Sequence, residues 1–231
     1  TGFPDQTAVL WWYLLETLML EQSRIRMTFK AQRFDLDNRT EDQKVVNYCR
    51  IARLILDCNF EDRDKMWQCL FQANGLDVHA PVRDASLTWD QLAALSEDPL
   101  VTIGAHGRTH CALGRLREEE ARAELLGSKK GLEKRLGRPV RHLAYPFGTY
   151  PEVGSREYRL ARECGFWTAT TTHQGSLFPA HRRFMTCLPR IGIERGQRGL
   201  QELGAWLDGS RACQRHVFSR VVMTDTYNRM W

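Results

Sequence analysis

Leu100-Val101-Thr102-Ile103-Gly104-Ala105-His106-Gly107-Arg108-Thr109-His110 decides how the rest of the chain is read. Val101, Thr102 and Ile103 favour a buried strand over Leu100 to Ala105, which places His106 just past its C-terminal end. If a helical turn follows, positions i and i+4 share one face. His106 and His110 then point the same way, and two imidazoles on one face can hold one divalent metal. Cys111 follows His110 directly, but neighbouring helical residues diverge by about 100°, so it is not expected to share that metal.

Working outward, the chain divides near residue 85. Upstream, Thr7 is a candidate cap for an apolar helix through Leu20, and Arg24 to Leu36 reads as a hairpin around Lys30-Ala31-Gln32. Two amphipathic helices follow, Thr40 to Leu56 and Glu61 to Gln72, with Asn74-Gly75 ending the second. Downstream the rhythm changes. Thr88-Trp89-Asp90-Gln91 is a capping box opening a helix, and a long charged helix between Leu113 and Leu136 stops at Gly137-Arg138-Pro139. Val140 to Tyr145, Phe166 to Thr171 and Cys187 to Ile193 read as strands, with helices at Arg156 to Cys164 and Gly199 to Leu207. Strands alternating with helices imply parallel β/α units. The expected architecture is α/β: a partial (β/α) barrel over residues 85–231, entered through residues 1–84, which add a mostly helical insertion or lid to the same structural domain.

Composition narrows the function. The 231 residues carry a formal charge of +5, with acidic residues scattered among the basic ones, so no basic stripe marks a nucleic-acid groove. The most apolar stretch, Ala8 to Leu20, is too short to span a bilayer and contains Glu16. Neither nucleic acid nor membrane is an expected partner. Seven cysteines are an odd number, and Cys49, Cys58 and Cys69 fall on helical patterns. They read as buried apolar residues, which favours a reduced, cytoplasmic setting, and no signal peptide is visible.

His106-Gly107-Arg108-Thr109-His110 resembles the second motif of the NodB-homology polysaccharide deacetylases, carbohydrate esterase family four. Other pieces keep the family's order: Trp89-Asp90-Gln91-Leu92, Leu143-Ala144-Tyr145-Pro146-Phe147-Gly148, Gly165-Phe166 with Thr168 to Thr172 and Gly175, and Leu188-Pro189-Arg190-Ile191. The opening Thr1-Gly2-Phe3 and Trp11-Trp12 resemble one bacterial branch. The resemblance implies a barrel with its site at the C-terminal strand ends. It also implies that His106 and His110 bind a zinc-like metal, and that the Phe147 N–H donates to the tetrahedral oxyanion, Tyr145 and Phe147 touching the substrate. The implied reaction removes acetyl groups from an N-acetylated or O-acetylated glycan.

Several positions depart from the family. The first motif, a strand end with paired aspartates that supplies the base and a third ligand, is unmatched. Phe34-Asp35-Leu36-Asp37 follows the Thr1-Gly2-Phe3 segment that the true motif should precede, and reads as solvated hairpin carboxylates. The expectation is therefore an amino-terminally truncated fragment, inactive alone. Gly107 replaces a serine or threonine, and Ala144 an arginine. No imidazole stands near Leu188-Pro189-Arg190 to act as general acid; His173 and His181 read as surface histidines, and His79, His142 and His216 as structural ones. Trp167 reads as core packing or a sugar platform. The rival function is a non-catalytic, glycan-binding or scaffold member of the fold. A metalloprotease helix would need a glutamate where Gly107 stands.

Overall fold

The computed structural model describes residues 1–192 and 203–205. The expected last helix, the end of the last expected strand at Ile193, and His216 fall wholly or largely outside them.

The upstream part is a helical block around a hairpin. Helix α1 (Trp11–Glu21) buries Leu14, Leu15 and Leu18. Its cap is Leu10 rather than Thr7, whose N–H bonds to the Gly2 carbonyl at 2.9 Å and so belongs to a preceding turn. Strands β1 (Arg24–Phe29) and β2 (Gln32–Asp37) pair antiparallel around Lys30 and Ala31, both at positive φ, as the tight turns of twisted hairpins require. Helix α2 (Glu41–Leu56) starts with the Thr40/Gln43 capping box. Asn38, fully buried, ties these pieces together: its amide donates to the Met19 and Gln22 carbonyls and accepts from Asn47. Helix α3 (Arg63–Leu70) follows, then Gly75 in the left-handed conformation and the short helix α4 (Ala80–Ala85). Ile25, Phe34, Ile51, Ile55, Met66 and Leu70 form the core of this block together with α1.

Helix α5 (Trp89–Ser96) has the expected Thr88/Gln91 box. The expected strand Leu100–Ala105 is only an extended segment: it touches the sheet through one bridge, Ala105 to Leu143. Asp98 explains part of this, because its side chain and carbonyl take the Leu100 and Val101 N–H groups into a turn, leaving Leu100 almost fully exposed. Gly104 packs so close to strand β3 that a Cβ would lie 3.1 Å from the His142 carbonyl oxygen. Helix α6 (Glu118–Leu136) carries acidic residues in its first turn and Lys134 and Arg135 in its last, as the helix dipole favours, and Gly137 at φ +65 closes it. Strands β3 (His142–Ala144), β4 (Thr168–Gln174) and β5 (Leu188–Arg190) form a parallel sheet in that order, with helix α7 (Ser155–Glu163) crossing from β3 to β4. Leu143 and Ala169 face α6 and α7 through Leu125, Leu132, Leu160 and Ala161. The parallel β/α units expected from the sequence are present. Among the described residues the sheet stays open, with no closed barrel.

Candidate functional site

The two histidines meet through a loop, not on a helical face. Residues 106–112 contain no helix; instead Gly107 (φ +72) and His110 (φ +56) reverse the chain twice. The rings end 4.8 Å apart between centroids and 71° between planes. Gly107 explains its own departure from the family pattern: its conformation penalises any side chain, and a Cβ would sit 3.2 Å from the Pro146 ring.

A residue that sequence reading missed holds this loop. Glu124, on α6 and 5% exposed, accepts the Arg108 and Thr109 N–H groups on one carboxylate oxygen at 2.9 and 2.8 Å. Helical charge patterning hid it, since Glu124 looks like one more surface glutamate among its neighbours. From the helical block, Arg63 donates to the Thr109 hydroxyl at 3.3 Å.

His106 Nδ1 lies 2.7 Å from the Ala144 carbonyl oxygen, which can only accept, so Nδ1 carries the proton and Nε2 keeps its lone pair. Burial lowers the His106 pKa, with smaller contributions from the hydrogen bond, which opposes the shift, and from the Arg190 cation. Arg190, whose guanidinium donates to Thr170 Oγ1 at 2.8 Å, is thus a second neighbour of the site that only the fold reveals. His110 is enclosed by Phe3, Trp12 and Phe147, with ring centroids 5.5, 4.9 and 4.9 Å away. Burial pushes its pKa down to about 3, the nearby His106 adding to the effect. Its Nδ1 is buried and has no partner among the described residues.

Phe147 occupies a positive φ of +61, costly for an aromatic residue, inside a turn that Gly148 N–H closes on the Pro146 carbonyl at 2.6 Å. Its carbonyl accepts from Thr172 Oγ1 at 2.8 Å, while no acceptor among the described residues takes its N–H. Tyr145 is a correction: the side chain is 1% exposed and its hydroxyl donates to the Thr186 carbonyl at 2.7 Å, so it is a core residue and does not face a substrate. The alternation of the strand turns it to the packed side. Trp167, by contrast, is not core, being exposed with Arg141 lying 3.9 Å over its ring, before the first residue of β4 and away from the strand's C-terminal end. His181, expected at the surface, is buried, its Nδ1 bonding the Phe178 backbone N–H. His142 bonds Thr168 Oγ1 within the sheet. Asp35 and Asp37 pair with Arg24 and Arg39 on the hairpin surface.

Two neutral imidazoles, one with its tautomer fixed by a carbonyl and the other with an orphaned nitrogen, suit a zinc-like ion as donors. They supply two ligands. Among the described residues, no group of three histidine, cysteine, aspartate or glutamate side chains converges to complete the set.

The paired histidines past an extended segment and the unengaged N–H on a strained turn thus lie together at the C-terminal side of a parallel sheet. Residues 63–166, a little under half of the chain, match the family model of the polysaccharide deacetylases, which the chain resembles over that segment. A Streptococcus pyogenes deacetylase solved with acetate is similar over 52% of this chain and 50% of its own, at 23% identity and a TM-score of 0.47. A polysaccharide deacetylase from Bacillus cereus is 25% identical over 52% of this chain and 36% of its own, at a TM-score of 0.46. IcaB from Ammonifex degensii is 19% identical over 52% and 53%, at 0.44. The chain thus spans about half the length of the first of these structures. No curated protein matches it. No described helix is long and apolar enough to cross a membrane.

Proposed function

We propose that the chain carries part of the site of a metal-dependent hydrolase that removes acetyl groups from an N-acetylated or O-acetylated polysaccharide. The observation that carries this reading is the pair of half-buried, neutral imidazoles in the loop that Glu124 holds. His106 and His110 would hold a divalent metal, zinc by donor type; when bound, such an ion polarises an acyl carbonyl and acidifies a water. The Ala144 carbonyl keeps His106 Nε2 free to ligate. The Phe147 N–H would donate to the oxyanion that develops on the acyl oxygen, its orientation already fixed by the turn. Phe3 and Trp12, packed on His110, exclude water from one side of the pair.

No carboxylate among the described residues joins the pair as base. Loss of a general base typically costs about 10² to 10⁴ in rate, so we expect the chain alone to release no measurable acetate from N-acetylglucosamine oligomers. Calorimetric titration with zinc should show weak binding to the chain, weakened at least about tenfold in His106→Ala, since one of two ligands is lost. Equal affinity in both would overturn the metal site. Placing a family-type β/α segment ending in Phe-Asp-Asp ahead of Thr1 should tighten zinc binding and create chelator-sensitive acetate release. A fusion that binds zinc and hydrolyses no acetylated glycan would favour the non-catalytic function.

A further inference from the structure

Beside His110 lies a cleft of about 400 Å³ lined largely by the helical block. Its lining includes Arg63, Asp64, Trp67 and Gln68 from α3, then Gln72 and His79, with His110 and Phe147 at the end nearest the paired imidazoles; His106 does not reach it. The volume lies within the range of pockets that enclose small ligands. We propose that this cleft is a saccharide subsite, taking the sugar ring next to the one whose acetyl group reaches His106 and His110. This rests on the deacetylase reading and adds to it a binding site lined by the helical block.

The chemistry of the lining argues for a neutral polyhydroxylated ring. An anionic ligand would find one cation, Arg63, already engaged with the Thr109 hydroxyl and the Phe60 ring. A metal ion would find one carboxylate, Asp64. An acyl chain would bury Asp64 and the two carboxamides without partners, at a cost of about 1–3 kcal/mol for each group left unsatisfied. Sugar hydroxyls both donate and accept, and so do the carboxamides of Gln68 and Gln72, while Asp64 accepts. Trp67, half-buried with one face stacked on Phe71, adds ring surface of the kind that packs against the C–H face of a pyranose. His79 adds a buried Nδ1 with no partner among the described residues. Continuity with His110 and Phe147 puts a bound ring within one residue of the reacting position.

The test titrates the chain, with chelator present, against β-1,4- and β-1,6-linked N-acetylglucosamine trimers, read by tryptophan fluorescence. Saturable binding to one trimer is expected. The Gln68→Ala/Gln72→Ala double variant should weaken it about five- to twentyfold, from two lost neutral hydrogen bonds, with an unchanged circular dichroism spectrum because both side chains are exposed. No saturable binding of either trimer, or equal affinity in the double variant, overturns the subsite. The same trimers offered to the zinc-loaded fusion separate the two proposals. Cleft-dependent binding without acetate release sinks hydrolysis and keeps the subsite; acetate release with KM unchanged by the double variant does the reverse.

Discussion

At the scale of single residues, the site depends on groups that oppose their own preferences. Glu124 is a buried carboxylate whose recorded partners are backbone amides, so its removal should act on the loop. Glu124→Ala leaves the Arg108 and Thr109 N–H groups unpaired at about 1–3 kcal/mol each, or roughly 2–6 kcal/mol together, less whatever water recovers. Urea unfolding should show that loss, and zinc binding should weaken with it. Glu124→Gln keeps an acceptor oxygen and should cost less than half as much; an unchanged urea midpoint in Glu124→Ala would mean the loop does not rely on this carboxylate. Gly148 is as constrained. It sits at φ +66, and a Cβ there would approach the Thr172 nitrogen to 2.9 Å. Gly148→Ala should destabilise by about 1–3 kcal/mol through forced backbone strain, and a thermal scan reads it directly. An alanine variant as stable as the parent would show that the turn can relax, removing the argument that the Phe147 N–H is held in place.

Among the elements, those with local signals were legible and those decided by neighbours were not. The Thr88 box, the hairpin at Lys30-Ala31 and the Gly137 stop depend on residues within four positions, and all appear. The Leu100–Ala105 segment has strand composition, yet pairing is a property of what lies alongside it, and only one bridge forms. His106 and His110 were readable as a pair because spacing lies in the sequence; that a loop joins them depends on Gly107 and on Glu124, far along the chain. Tyr145 misled for the same reason, since a strand's alternation does not say which face is packed. That packed face also makes a pH prediction. Burial pushes the Cys187 thiol from about 9 up to about 11 and raises the neighbouring Tyr145 and Tyr158 phenols above their ordinary range. A raised folded pKa means stability is fully present below pH 9 and drains away as pH climbs toward 11, because the unfolded thiol gives up its proton first. The melting temperature should fall across that window, and Cys187→Ala should flatten the slope. An equal slope in both proteins would assign the alkaline loss to the phenols alone.

For the whole molecule, the histidine loop is where two apolar cores touch. One core gathers the parallel sheet, α6 and α7, and the other gathers the hairpin with α1, α2 and α3. Phe147 leaves a loop of the sheet to pack against the second core, Arg63 reaches back to Thr109, and Arg115 pairs with Asp57 at 3.2 Å. His110 lies between them, with Phe3 and Trp12 on one side and Phe147 on the other. A ligand that binds the folded loop and not the unfolded chain stabilises by mass action, about 2.7 kcal/mol at a hundredfold excess over its Kd. Because the loop contacts both cores, zinc should slow hydrogen exchange in α3 and in β4 alike, and His106→Ala should abolish both effects. Protection confined to β3 and β4 would mean that the helical block is docked without being coupled. In that case the cleft it walls would open and close independently of the metal, and saccharide affinity should be the same with zinc as with chelator.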